Sequence, residues 1–113
     1  MALELACNNE EKIEVTLTPV TTTGKPARVD GIPVWAVVSG PGTIVPAADG
    51  MSAFVISQDT ISTNPSENQT VYSVLADADT GDGVVEIGDN VILQVEGARA
   101  ANLGLKAGPA VPK

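Results

Sequence analysis

The sequence predicts an all-β fold: a two-sheet sandwich of about seven strands, with a short N-terminal strand and an extended C-terminal tail. Three observations carry this. Apolar and polar residues alternate with a period of two, most clearly where Ile13, Val15 and Leu17 interleave with Glu14, Thr16 and Thr18. Such runs recur at short intervals, separated by Gly, Pro, Asn and Asp, the residues that punctuate strands with turns. No stretch sustains a helical period.

Taken in order, Leu3 and Leu5 alternate with polar or small residues and predict a short first strand before the polar turn at Cys7 to Glu10. Ile13 to Leu17 is half-buried, one face in the core and one in water. Pro19 ends it, and Thr21 to Pro26 is a polar loop. Val34 to Val38 is a near-continuous apolar run that holds the single Trp, and it is the best candidate for a central strand. Gly40-Pro41-Gly42 breaks that run, Thr43 to Val45 forms a short strand, and Pro46 to Gly50 is a turn ending in an Asp-Gly pair. Met51 to Ser57 alternates through Phe54 and Ile56. Gln58 to Asn68, rich in Ser, Thr, Asn and Pro, reads as a loop or poorly ordered crossing. Val71 to Ala76 resumes strand character, and Asp77 to Gly83 is an acidic turn. Val84 to Ile87 is a short strand or bulge before a break at Gly88-Asp89-Asn90, and Val91 to Val95 is the last strong strand. This gives a sandwich domain over residues 1–97 and a tail or edge segment over 98–113.

With one Trp, one Phe and one Tyr in 113 residues, the core must be filled mainly by Val, Ile, Leu and Ala. Trp35 is expected inside it, filling the space that two thin sheets leave between them. The formal charge is −8, and the six cations are scattered along the chain. A duplex-binding footprint needs clustered Lys or Arg, so nucleic acid and anionic membrane are not expected partners. No apolar run approaches the roughly 20 residues that a membrane-spanning helix needs. The opening MALELACNNEEK has no positive n-region or apolar h-region, so no signal peptide is read.

The sequence contains no histidine, the side chain most used for proton transfer near neutral pH and the commonest metal ligand. Cys7 has no second cysteine to bridge and no histidine to activate it, so it reads as a structural thiol. Ser and Thr abound without a base to activate them. Asp77, Asp79 and Asp82 form the one cluster suited to a hard cation. An EF-hand loop would need an oxygen ligand at 81, Gly at 82 and Glu at 88, where this chain has Gly81, Asp82 and Gly88, so the turn reads as solvated. The reading is therefore no enzyme, no cofactor and no metal site.

The order of several short segments resembles a bacterial immunoglobulin-like domain of the intimin and invasin type, also found singly in tailed-phage structural proteins. The carrying residues are Val15-Thr16-Leu17-Thr18-Pro19, Gly24-Lys25-Pro26-Ala27 and Gly31-Ile32-Pro33-Val34-Trp35. Further along come Pro46 to Ala53, Ala76-Asp77-Ala78-Asp79 and Val91 to Val95. The resemblance spans Glu11 to Val95 and implies an immunoglobulin-like sandwich with Trp35 between its sheets.

A single, signal-free domain of this type implies a virion structural protein of a tailed phage, synthesised in the host cytoplasm, that decorates and stabilises the capsid or tail. Its expected partner is a phage capsid or tail protein, with a second copy of itself as a further candidate. The apolar side chains Leu3, Leu5, Leu103, Leu105 and Val111 of the flanking segments are the candidate partner interface, and the loop from Ser57 to Asn68 is a second candidate surface. The alternative reading is a receptor- or glycan-binding module excised from an exported adhesin, which an upstream signal and neighbouring repeats would favour. A third, an accessory domain of a hydrolase, requires a catalytic domain in the same reading frame.

Overall fold

The computed structural model describes residues 2–78, 86–99 and 103–113. Its strands are β1 (Ala2–Asn8), β2 (Lys12–Thr16), β3 (Asp30–Ser39), β4 (Thr43–Pro46), β5 (Ser52–Ile56), β6 (Gln69–Asp77) and β7 (Glu86–Glu96). They form a four-stranded sheet in the order β1-β7-β6-β3 and a three-stranded sheet in the order β2-β5-β4. β1 runs parallel to β7, and the other pairings are antiparallel. In the immunoglobulin scheme β2, β5 and β4 take the B, E and D places, and β3, β6 and β7 take C, F and G. β1 adds to the outer edge of β7. The fold is an immunoglobulin-like two-sheet sandwich.

Period-two alternation fixes what lies between the sheets. Val15, Ala53 and Val55 come from the three-stranded sheet, and Trp35, Tyr72, Val74, Val91, Leu93 and Val95 from the other. Leu5, Cys7, Ile13, Leu17, Ile44 and Ile61 pack against them, half-buried. Trp35 lies in the core, as the sequence predicts, and its ring nitrogen donates to the Gly50 carbonyl at 2.8 Å.

Two local expectations are corrected, and the facing of β5 is settled. The apolar run Val34 to Val38 is not a central strand, because β3 is the edge of the four-stranded sheet. Its apolar residues divide between faces: Trp35 is buried, while Val34 and Val38 are 63 % and 60 % exposed. Gly88-Asp89-Asn90 is not a break, since β7 runs through it, pairing Gly88 with Leu75, Asp89 with Val74 and Asn90 with Ser73. The glycine serves packing there, for a Cβ at 88 would lie 2.5 Å from Leu75 Cδ2. Val84 and Val85 lie outside the described residues. In β5 the inward residues are Ala53 and Val55, with Ser57 just beyond the strand also buried. Phe54 and Ile56 face outward, where Lys12 Nζ sits 4.3 Å from the Phe54 ring centroid.

The connection from β5 to β6 is ordered by its own side chains. Asn68 Oδ1 accepts from Ser62 N at 2.8 Å and from Gln58 Nε2 at 3.3 Å, while Asn68 Nδ2 donates to Ser62 O at 2.8 Å. Asn64 caps the 3₁₀ turn Pro65–Asn68 by accepting from Ser66 N. A polar composition thus produces a hydrogen-bonded loop in which the buried Asn68 amide is matched on both its oxygen and its nitrogen, while Gln58 Oε1 is buried without a partner among the described residues.

Candidate functional site

The sheets do not close against each other at the pole where β6 ends and β7 begins. An apolar cavity of about 240 Å³ opens there, lined by Leu17, Pro19, Val29, Val74, Ala76 and Ile87, with Thr18, Gly88 and Asp89 completing the wall. It forms because Val74, Ala76 and Ile87 keep the inward parity of their strands beyond the end of β2, where the opposing wall is irregular chain. Ile87 remains 50 % exposed as a result. The volume falls below the roughly 300–1,000 Å³ of a small-molecule pocket and suits one or two aliphatic side chains.

One acidic residue, Asp89, lines this opening; Asp77 and Glu86 adjoin the inward-facing Ala76 and Ile87 in their strands, so alternation puts their side chains on the opposite face of the sheet. The ladder places Asp30 beside Asp77 and Asp77 beside Glu86, a row of three carboxylates across β3, β6 and β7. Among the described residues, Arg28 is the one cation within one position of a lining residue.

The residues singled out in the sequence fall in different places. Leu3 and Leu5 belong to β1, opposite Val91 and Leu93 of β7. Leu5 packs against the core, whereas Leu3, on the same face at the sheet's end, is 47 % exposed. Leu103, Leu105 and Val111 lie in chain without regular structure and are 88 %, 90 % and 76 % exposed. Asp77 ends β6, while Asp79 and Asp82 lie outside the described residues. Among the described residues, no group of three or more His, Cys, Asp or Glu is placed to hold a metal ion, and no helix is long and apolar enough to cross a membrane.

The tail leaves from the pole opposite the cavity. Asn9 fixes its exit: Asn9 N donates to Glu96 O at 3.0 Å, Asn9 Nδ2 donates to Asp59 O at 2.8 Å, and Asn9 Oδ1 accepts from Ala98 N at 2.8 Å. Nearby, burial pushes the Cys7 thiol above its ordinary range, and Glu11 adds to the shift by repelling a thiolate. Cys7 is thereby held as a neutral thiol.

Sequence reasoning missed the cavity because its wall comes from four separated segments that share no motif. No family model matches the chain, and no curated protein matches it.

Proposed function

We propose that this domain is a non-enzymatic structural subunit that binds a larger particle, decorating and stabilising the capsid or tail of a tailed phage. The observation that carries the reading is the apolar surface along the edge strand β3, where Ile32, Val34 and Val38 are 66 %, 63 % and 60 % exposed. An exposed apolar patch of this kind marks a contact surface. Pro33 and the register breaks on either side of Val34 to Val37 blunt the same edge against simple strand addition, so the contact is made by side chains. The resemblance to single immunoglobulin-like domains of phage particles supplies the identity of the partner, and the net charge of −8 argues against nucleic acid.

The test is composition of purified particles from the source by mass spectrometry, followed by occupancy with Val34→Glu and Val38→Glu chains. Presence of the chain on the particle, and loss of occupancy in variants whose circular dichroism is unchanged, is the expected result. A chain absent from the particles sinks the reading.

A further inference from the structure

The outward side of the four-stranded sheet is uncharged across its middle, in a chain of net charge −8. Because Tyr72 and Val74 of β6 and Val91 and Leu93 of β7 face the core, alternation turns Val71, Ser73, Leu75, Gly88, Asn90 and Ile92 outward. None of these is charged. Trp35 points inward from β3, so Val34 and Ala36 join the same outward side.

The ladder arranges this side in rows. Val34 and Leu75 form one apolar row, and Val71 and Ile92 form another, with Val38 beside Val71 at the register shift. Between them lie Ala36, Ser73 and Asn90, with Ala2 of β1 at the end. Beyond the first apolar row stand the carboxylates Asp30, Asp77 and Glu86, and beyond the second stand the amides Gln69 and Gln94. Apolar character is therefore repeated on either side of Ser73, while charge is confined to one end of β6.

We propose that a second copy of this chain covers this face, the two sheets stacking about a two-fold axis that crosses the strands at Ser73 and Asn90. A two-fold contact requires a face complementary to itself. This axis reverses strand direction between copies, so Leu75 of one copy meets Val71 of the other, and Ile92 meets Gly88. The carboxylate row then lies against the uncharged Gln69 and Gln94. An axis along the strands would instead lay one carboxylate row on the other, like against like. A strongly basic or acidic partner finds no charge to pair with in the middle of the face.

The area is sufficient. Four strands about 4.8 Å apart make the face ~19 Å wide, and the nine residues of β6 at ~3.3 Å each make it ~30 Å long, roughly 570 Å² in plan. Two copies then bury about 1,100 Å², just above the ~1,000 Å² expected of a specific interface. The inference names the neighbour on the β3 surface and rests on reading that surface as a contact; pairs are then the unit that a larger particle carries.

The experiment is sedimentation equilibrium of the full chain over a wide concentration range, where a monomer–dimer equilibrium is expected. Added salt should leave the dimer intact or tighten it, because the contact is apolar and screening weakens repulsion between two chains of charge −8. L75E and V71K should each raise the dissociation constant at least tenfold. An equimolar mixture of the two should restore a dimer, since the introduced opposite charges then face each other. V34E, at a position exposed enough to spare the fold, should also weaken association, whereas V45E, on the outer side of the three-stranded sheet, should not. Circular dichroism controls for folding of each variant. A chain monomeric at every concentration, a dimer untouched by L75E and V34E, or a mixture that stays monomeric overturns the inference. A monomeric chain found on particles overturns it and leaves the particle reading standing, whereas a dimer missing from particles supports it and sinks that reading alone.

Discussion

The indole Nε1–H of Trp35, on β3, donates a buried 2.8 Å hydrogen bond to the carbonyl of Gly50, in the turn that leads into β5. One side chain therefore ties the edge of the four-stranded sheet to the three-stranded one. Gly50 has φ +69°, and a Cβ there would lie 2.7 Å from both Ile32 Cγ2 and Pro33 O. Only glycine brings this carbonyl to the indole. Trp35→Phe keeps most of the apolar volume but leaves the carbonyl unpaired, and should cost about 1–3 kcal/mol. Trp35→Ala adds a cavity and should cost about 3–5 kcal/mol. Urea denaturation followed by circular dichroism measures both, and a Trp35→Phe chain as stable as wild type would refute a role for the hydrogen bond.

Thr70 is fully buried, and its Oγ1 accepts from Gly42 N–H at 2.8 Å. Thr70→Val preserves shape but strands that amide, so the denaturation midpoint should fall by the equivalent of about 1–3 kcal/mol with the slope m unchanged. A midpoint equal to wild type would show that the amide finds another partner.

Asn68 holds the β5 to β6 loop through three hydrogen bonds. Asn68→Ala should leave the sandwich folded while Ser62 N–H exchanges with solvent roughly tenfold faster or more, because that amide loses its acceptor. Unaltered exchange at Ser62 would mean that the loop is held by other contacts.

Burial raises the proton affinity of both Cys7 and Tyr72. For Tyr72 a hydrogen bond with Thr70 opposes the shift without cancelling it. Each group is neutral when protonated, so the unfolded chain ionises first, from the ordinary thiol range near about 8.5 and phenol range near about 10. The stability that these groups contribute is full below those values and is lost as pH rises through the higher folded values. Stability should therefore fall above about pH 8.5, and the fall should be shallower in Cys7→Ser and Tyr72→Phe. Identical alkaline slopes in wild type and variants would contradict the assignment.

Much of the fold was legible because its signal is local. The alternation of Ile13, Val15 and Leu17 requires no knowledge of the partner strand, and β2 runs over Lys12–Thr16 with Val15 buried. Val91, Leu93 and Val95 were readable in the same way. The β3 run misled because a stretch of Val and Ala has the composition of a strand buried on both faces, yet an edge strand with one open face holds it equally well. Gly88-Asp89-Asn90 looked like a turn by residue type; inside β7 the small residue at 88 answers to Leu75, thirteen positions earlier. For the site, the aliphatic residues of the tail were readable, but the apolar cavity at the opposite pole was not.

By itself the sequence determined the period of the elements, most of the turns between them, and an aliphatic core around a single Trp. Tertiary structure alone decided which strands are edges, that Ala53 and Val55 rather than Phe54 and Ile56 face inward, and that Thr70 and Asn68 are buried. It also decided where the sheets part to form an apolar cavity. Periodicity is a property of neighbouring residues, whereas edge position, face and cavity depend on pairing between segments far apart in the chain, and a one-residue change of register would reverse every face.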